Sequence, residues 1–445
     1  MPKITHRKKR LSSFKLIVLG FAGVIVLGAL ILMLPFSSTA GVVTPFHEAL
    51  FTSTSAVCVT GLVVQDTGSY WSAFGQTVIL LLIQIGGLGV VTVAATFAML
   101  SGRKISLMQR STMQDAISAP KVGGIVRLTR FIVRGTFLIE LIGMIVMLPT
   151  FCGNYGIKGI WMAAFHSVSA FCNAGFDILG TAENKYPSLT GYIGNPAINI
   201  TIMLLIIVGG IGFLTWDDIY TNKWHFKKYR MQSKVILVTT AILIIVPAVF
   251  FFFCDFTGLP LAERILASLF QSVTPRTAGF NTADLPAMTG SSKAIMTMLM
   301  LVGGSPGSTA GGMKTTTLAV LILSAFSVCR KKDDAEVCGR RIDGSAVKNA
   351  AAVAVMYFLL FFVGGIVIST AEGLPLSTCL YETASAVGTV GLTLGITPQL
   401  GVLSQLILIV LMYLGRVGGL TLIYAAVSNK NQSGAKLPLE KITVG

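Results

Sequence analysis

Long apolar segments alternate with short ones along this chain. Segments of about 20 predominantly apolar residues, the length that crosses the hydrocarbon core of a bilayer, predict eight transmembrane helices at residues 14–35, 77–100, 131–148, 197–219, 235–253, 294–328, 347–370 and 403–428. Within each successive pair lies a shorter apolar segment that runs into a glycine, and these four segments are 46–60, 159–174, 261–278 and 376–390. The pattern predicts a unit of helix, half-helix, loop and helix that occurs four times.

The repeat is also visible in residue order and spacing. The short segments read Phe-Thr-Ser-Thr-Ser-Ala from Phe51, Phe-His-Ser-Val-Ser-Ala from Phe165, Phe-Gln-Ser-Val-Thr-Pro from Phe270 and Tyr-Glu-Thr-Ala-Ser-Ala from Tyr381. The third loop is one residue shorter than the others, and a polar stretch at 181–195 lengthens the outer loop of the second repeat. We therefore predict an all-α polytopic membrane protein whose four helix, pore-loop and helix repeats have pseudo-fourfold symmetry around one pore.

Composition supports a membrane protein and excludes an ordinary soluble one. Hydrophobic residues make up 53% and charged residues 12% of the 445 positions, and the mean hydropathy is +0.78, far from soluble averages. A net charge of +16 can indicate nucleic acid, but most of the 34 Lys and Arg fall in the N-terminal arm, the tail and alternate connections. This positive-inside distribution predicts a multi-pass protein of the bacterial plasma membrane with both termini in the cytoplasm and no nucleic-acid partner.

The spans and the charges divide the chain into repeats and cytosolic connections. The repeats are 14–100, 125–222, 235–329 and 347–428, and the cytosolic arm, loops and tail are 1–13, 101–124, 223–234, 330–346 and 429–445. Segment 14–35 follows a basic arm without a clear small-residue cleavage site, so we predict a first helix rather than a signal peptide. The seven cysteines are scattered and without metal-ligand spacing, which favours packing roles.

The four loops contain the candidate ion-binding residues. Irregular backbone at membrane depth must be buried in protein or line a wet cavity, and glycine permits the conformations that point successive carbonyls inward. Side chains in the loops are mostly small or uncharged, so backbone carbonyls would replace the hydration shell of an ion. We predict a selectivity filter that binds K+ through Val59, Thr60, Gly61, Asn173, Ala174, Gly175, Thr277, Ala278, Gly279, Thr389, Val390 and Gly391. The alternative is that each glycine caps a re-entrant helix.

Two electrostatic features accompany the loops. The C-terminal ends of the half-helices carry partial negative charge and point toward the membrane centre by this topology, which favours a cation there. Asp66, Asp177 and Asp284 follow the loops on the outer side. They either concentrate cations at the mouth or are ordinary solvated loop acids.

The second helix of repeat 3 cannot be continuous. Five of the ten positions at 303–312 are glycine and one is Pro306, a composition that does not sustain an α-helix. Because the freed backbone groups need protein or water partners, we predict a flexible plug beneath the filter, formed by Gly303, Gly304, Ser305, Pro306, Gly307, Ser308, Thr309, Ala310, Gly311 and Gly312. The alternative, a packing kink, fits the milder glycine clusters at 86–89 and 209–212 better.

Arg416 stands at a glycine position of the other repeats. A guanidinium at a helix centre costs about 2.5–3.5 kcal/mol on insertion scales, so it should face a cavity or carbonyl partners. Below a cation filter, we predict that Arg416 acts as an electrostatic barrier and bonds to the plug. The alternative is that Arg416 is a static tether to a helix end. We expect Lys314 to snorkel to the interface and Glu140 to make a packing hydrogen bond rather than an ion-transfer step.

With these residues the chain resembles the Trk/Ktr/HKT superfamily of potassium transporters over nearly its whole length, and within it the bacterial KtrB membrane subunits. The resemblance is carried by the four loop glycines, by the Gly-Gly-Ser-Pro-Gly-Ser-Thr-Ala-Gly-Gly stretch and by Arg416. It implies a preference for potassium over sodium, because all four filter positions are glycine, and a homodimer with one pore per protomer.

The resemblance also implies regulation by a partner. It implies a cytosolic octameric ring of RCK-type, KtrA-like nucleotide-binding subunits, gating that ATP promotes and ADP inhibits, and stimulation by sodium. The sequence has no Gly-x-Gly-x-x-Gly strand–helix fingerprint, so nucleotides would act only through the ring, and we expect no covalent cofactor. The expected docking sites are the cytosolic loops, including 106–121, and the tail 429–445.

Two other functional classes remain at this point. An ion-coupled secondary transporter would bind an organic solute at the broken helix of repeat 3. A membrane enzyme is disfavoured, because the spans contain no nucleophile–base pair, metal cluster or phosphate motif.

Overall fold

The computed structural model describes residues 12–101, 105–117, 123–419 and 421. The helices are α1 (Ser13–Leu32), α2 (Phe46–Val57), α3 (Ala73–Leu88), α4 (Val90–Leu100), α5 (Leu107–Ile117), α6 (Ile125–Tyr155), α7 (Lys158–Phe171), α8 (Pro196–Gly210), α9 (Phe213–Asn222), α10 (Met231–Cys254), α11 (Leu261–Val273), α12 (Gly290–Leu301), α13 (Thr315–Cys329), α14 (Gly344–Glu372), α15 (Leu376–Gly388) and α16 (Val402–Val417). Strands β1 (Glu336–Val337) and β2 (Arg340–Arg341) form a short antiparallel hairpin. The basic arm up to residue 11 and the tail 429–445 lie outside the described residues.

The first helix of each repeat is long, apolar and only partly buried. Helices α1, α6, α10 and α14 are 20, 31, 24 and 29 residues long and are apolar enough to cross a membrane. Each buries one stripe and leaves large apolar side chains such as Leu27, Ile145 and Phe358 exposed, as expected for helices that face lipid. In the described part of the chain, these four helices are individually long and apolar enough to cross a membrane. If each of two bent helix pairs is counted as one span, the number of candidate spans rises to six.

The four predicted half-helices are confirmed as α2, α7, α11 and α15. They are 12–14 residues long, which at 1.5 Å per residue gives about 18–21 Å, too short for a hydrocarbon core of about 30 Å. Each packs against the long helix that precedes it. They end two to five residues before the predicted ends because the backbone leaves the helix before the loop glycine.

A hydroxyl at the same place in every repeat fixes the half-helix to the preceding long helix. Each hydroxyl donates to a backbone carbonyl there: Ser53 to Ile25 (2.7 Å), Ser167 to Glu140 (2.6 Å), Ser272 to Ile244 and Thr383 to Phe361 (3.1 Å). Gly28 and Gly143 lie directly opposite Ser53 and Ser167, where a Cβ would be too close to the hydroxyl. Small residues therefore let the two helices approach.

The second helices of repeats 1 and 2 correct one prediction. Spans 77–100 and 197–219 were expected to be continuous with a mild kink, but α3 and α4 meet at 95° and α8 and α9 at 98°. Gly89 and Gly212 stand at the two bends with φ of +85° and +91°, a conformation that ends a right-handed helix. Glycine composition indicated a weak point in each helix, but it did not indicate that the chain would turn through a right angle.

The second helix of repeat 3 is broken as predicted. Helix α12 ends at Leu301, α13 begins at Thr315, and irregular backbone joins them. Two predicted cytosolic loops contain structure that the sequence analysis did not anticipate. Helix α5 lies in the 101–124 loop and packs against α1 and α4, and the β1–β2 hairpin lies in the 330–346 loop.

Candidate functional site

The four loop glycines lie against one another's segments in a closed cyclic order. A Cβ atom added at Gly61 would overlap the carbonyl oxygen of Ala174, and one added at Gly175 would lie 2.7 Å from that of Ala278. At Gly279 it would overlap the carbonyl oxygen of Val390, and at Gly391 that of Thr60. The contacts run from repeat 1 to 2, 3, 4 and back to 1. The four loop glycines and the residues that precede them, Thr60, Ala174, Ala278 and Val390, are thus brought together in one ring.

The backbone has a left-handed φ at the same two positions in all four loops. Val59, Asn173, Thr277 and Thr389 have φ of +58°, +59°, +67° and +52°. Two positions later Gly61, Gly175, Gly279 and Gly391 have φ of +91°, +68°, +82° and +95°. Left-handed φ values are unfavourable for residues with a Cβ, above all for β-branched ones, and persist only where the surroundings over-determine them. Four copies of this pattern in buried segments indicate that the surrounding structure holds the loops in this conformation.

A second set of hydroxyls, at the end of each half-helix, anchors the loops. Gly61 and Gly391 donate their N–H groups to Ser55 and Ser385 Oγ, each at 3.0 Å. The corresponding hydroxyls of Ser169 and Thr274 donate to the carbonyls of Phe176 and Phe280. These four residues were not among those predicted from the sequence, although a Ser or Thr at the fifth position of the repeated motif was the signal. In the shorter third loop Ala278 N–H bonds to Thr274 O, whereas Ala174 N–H reaches one residue further back, to Ser169 O.

We predict that Ser385→Ala destabilises the protein. The substitution leaves the buried N–H of Gly391 unpaired, which costs about 1–3 kcal/mol, so the apparent melting temperature of the detergent-solubilised protein should fall. Thr54→Val is the matched control, because the Thr54 hydroxyl is buried without a partner in the described chain. Equal melting temperatures for the Ser385 and Thr54 variants would contradict the anchoring role.

The irregular segment 303–314 of repeat 3, here called the intramembrane loop, lies next to the ring. A Cβ at Gly311 would overlap the Thr389 hydroxyl, and Gly303 lies against the Thr277 methyl. The loop is held by backbone bonds to other repeats: Ser305 N–H to Gly210 O (2.9 Å), Thr309 N–H to Gly209 O (3.2 Å) and Gly312 N–H to Gly415 O (3.2 Å). The Thr309 hydroxyl also donates to Phe171 O at the end of α7 (3.1 Å). These bonds connect the loop to repeats 2 and 4.

Two basic side chains, Arg416 and Lys314, donate hydrogen bonds to carbonyls of the intramembrane loop. Arg416 donates through Nη1 to Thr309 O and through Nη2 to Gly86 O and, at 3.3 Å, Gly87 O. Lys314 was expected to snorkel, but its Nζ turns back and donates to Ala310 O (2.8 Å) and Gly311 O (3.4 Å). Neither cation has a carboxylate partner in the part of the chain that the structure describes. Arg416 therefore joins repeat 4, the loop and the end of α3.

The acidic residues separate into structural and exposed groups. Asp66 is buried and accepts bonds from Ser69 N–H (2.7 Å) and Tyr186 N–H (2.9 Å), so it ties together the segments that follow the loops of repeats 1 and 2. Asp177 accepts from Leu179 N–H, and Asp284 is exposed. Glu140 on α6 accepts a hydrogen bond from Gln84 on α3 (3.4 Å), as expected for a packing contact between two helices.

Known proteins resemble the chain over almost its whole length. The sequence profile of the TrkH family, described as cation transport proteins, matches residues 13–434. The chain is 39% identical to the potassium/sodium uptake protein NtpJ of Enterococcus hirae over 98% of both chains. It is 36% identical to the Ktr system potassium uptake protein B of Bacillus subtilis over 97% of this chain and 96% of that protein. The crystal structure of the potassium transporter TrkH from Vibrio parahaemolyticus shares the fold, with a TM-score of 0.74 over 96% of this chain and 87% of that one at 19% identity.

Proposed function

We propose, because this chain belongs to the TrkH family of cation transport proteins, that it takes up potassium across the plasma membrane through a channel-like pore. The observation that carries the proposal is the closed ring of Gly61, Gly175, Gly279 and Gly391, in which each glycine lies against the loop of the next repeat. Relatives named as potassium uptake proteins support potassium as the transported ion. They also fit a protein that is not an enzyme.

In this proposal the twelve loop residues form a selectivity filter. Their uncharged side chains leave backbone carbonyls as the groups that replace the hydration shell of K+. The C-terminal ends of α2, α7, α11 and α15 lead into the four loops, and their partial negative charges would stabilise a cation below the ring. The four repeats would then surround one pore with pseudo-fourfold symmetry, as eight spans with both termini in the cytoplasm.

The intramembrane loop and Arg416 form the gate in this proposal. The loop touches filter residues of repeats 3 and 4, and Arg416 places a positive charge beside it. A cation that passes the ring would meet this charge and the loop backbone together. Four N–H groups of the loop, those of Gly303, Ser305, Thr309 and Gly312, bond within the protein, which leaves fewer donors for an organic solute at the broken helix.

We extend the proposal to assembly and regulation. The name of the Bacillus relative places that protein in a Ktr system, which supports a cytosolic RCK-type nucleotide-binding ring as partner and ATP and ADP as effectors through that ring. The name of the Enterococcus relative includes sodium, which supports sodium as an activator or a second transported ion. A homodimer with one pore in each protomer completes the proposed assembly.

Potassium flux into liposomes that contain the purified chain tests the function. We expect uptake of K+ or Rb+ down an imposed gradient, at a rate well above that of Na+ through the same protein. Liposomes prepared without protein are the control, and addition of the cytosolic partner tests regulation. Equal fluxes of potassium and sodium would refute the potassium filter, and saturable uptake of an organic solute would refute the channel-like mechanism.

A further inference from the structure

Glu382 is a buried acid that has no role in the proposed filter or gate. It lies on half-helix α15 and is fully buried. It is the second residue of the six-residue motif that is repeated before each loop glycine. Burial of a carboxyl group is costly unless hydrogen bonds satisfy its oxygens. The partners of this side chain therefore indicate why the position carries an acid.

The partners of Glu382 all belong to the segment that follows Gly391. Its Oε1 accepts from the Thr393 hydroxyl and from Leu394 N–H (3.1 Å), and its Oε2 accepts from the Thr397 hydroxyl (2.9 Å). The Thr393 hydroxyl lies 3.0 Å from that of Thr397 and accepts from Gly395 N–H (2.9 Å). One side chain thus connects the half-helix before the ring to the backbone just after it.

The corresponding residues of the other repeats make no such connection. They are Thr52, His166 and Gln271. His166 bonds through Nδ1 to Met162 O in its own helix, and its Nε2 has no partner in the described chain. The two side-chain amide atoms of Gln271 and the hydroxyl of Thr52 also have no hydrogen-bond partner there. At this position of the repeated motif, a carboxylate connection occurs in repeat 4 alone among the described residues. In repeat 1 a different acid, Glu48 in the first turn of α2, accepts a hydrogen bond from the Gln65 amide (2.8 Å).

We propose that Glu382 is a positioning residue for ion selection, because its carboxylate holds the segment 393–397 and thereby keeps the fourth filter loop from relaxing around a smaller ion. The inference rests on the proposed potassium filter and goes beyond it by naming what restrains one loop. Carbonyl rings distinguish potassium from sodium through the number and arrangement of oxygens they present. A loop that is free to shift presents a less selective ring.

Flux ratios in liposomes test the inference. Glu382→Ala leaves the Thr393 and Thr397 hydroxyls and the Leu394 N–H without their acceptor, so we expect it to lower the potassium-to-sodium flux ratio about tenfold. Glu382→Gln keeps a carbonyl oxygen for Thr393 and Leu394, and should retain most of the ratio. Gln271→Leu is the matched control at the same position of repeat 3, where we expect no change. An unchanged ratio in Glu382→Ala, or an equal loss in the Ala and Gln variants, would overturn the inference.

Thr397→Val provides a second test in case the Glu382→Ala protein does not fold. It removes one of the three bonds and keeps the carboxylate, so the flux ratio should fall by less than in Glu382→Ala. Hydrogen–deuterium exchange of the peptide 392–400 should accelerate in both variants but not in Gln271→Leu. Gly391→Ser separates the two proposals. If it leaves the ratio unchanged, the filter itself is wrong; if it collapses the ratio while the Glu382 and Thr397 variants do not, only the present inference fails.

Discussion

A serine at Gly391 is expected to remove most of the discrimination between potassium and sodium. Gly391 has φ of +95°, which residues with a Cβ rarely adopt, and a Cβ there would overlap the Thr60 carbonyl oxygen of the neighbouring repeat. Either loop must move, so the ring opens where repeats 4 and 1 meet. Because a factor of ten needs only about 1.4 kcal/mol, we expect the potassium-to-sodium flux ratio in liposomes to fall at least about tenfold.

A glycine outside the ring provides the control. Gly41 also has a positive φ, +67°, but a Cβ there would meet no atom within 4 Å. Gly41→Ser therefore introduces backbone strain without touching the ring, and should leave the flux ratio unchanged. Gly61→Ser should behave like Gly391→Ser, because its Cβ would overlap the Ala174 carbonyl oxygen. Equal ratios in the Gly41 and Gly391 variants would show that the ring does not select ions.

The half-helices and the broken helix could be predicted from the sequence because local composition determines them. A segment of 12–14 helical residues between two long apolar ones cannot span a bilayer, and the glycine and proline content of 303–312 excludes a continuous helix. The contact between Arg416 and the loop also followed from local reasoning. A buried guanidinium needs carbonyl acceptors, and the break of repeat 3 supplies one of them, Thr309 O.

The features that the sequence analysis missed depend on long-range contacts. The right-angle bend at Gly212 depends on packing, since Gly212 lies against Pro306 O of the intramembrane loop. Lys314 folds back because the carbonyls of Ala310 and Gly311 lie within its reach, which spacing alone could not show. The anchors Ser55 and Ser385 were in the repeated wording, but their partners became visible only in three dimensions.

The bonds of the intramembrane loop differ in strength, and this identifies the one to remove. Most are neutral backbone bonds to glycines of α8 and α16, worth about 0.5–1.5 kcal/mol each. The bonds of Arg416 to Thr309 O and Gly86 O are charge-assisted, and are therefore stronger. A loop that must move to let ions pass would be held mainly by this arginine. Its removal should release the loop and remove a positive charge at the same time.

Arg416→Ala is therefore expected to raise potassium flux through the chain without its cytosolic partner. A bond from a charged donor contributes about 1.5–3 kcal/mol, and 1.4 kcal/mol is a factor of ten in an equilibrium constant, so the flux should rise at least about tenfold in liposomes. Deletion of residues 305–310 should have the same direction of effect. Arg416→Lys keeps the charge but cannot reach both carbonyls with a fork of donors, so its flux should be intermediate.

Arg264→Ala distinguishes a gate from a general effect of losing an arginine. Arg264 also donates to a backbone carbonyl, Phe252 O at 2.8 Å, and stacks on the Phe252 ring, but it lies at the start of α11, away from the intramembrane loop. We expect its substitution to leave the potassium flux unchanged. If Arg416→Ala and the loop deletion also leave the flux unchanged while both proteins remain folded, the loop and Arg416 are structural, and the barrier to potassium lies elsewhere in the pore.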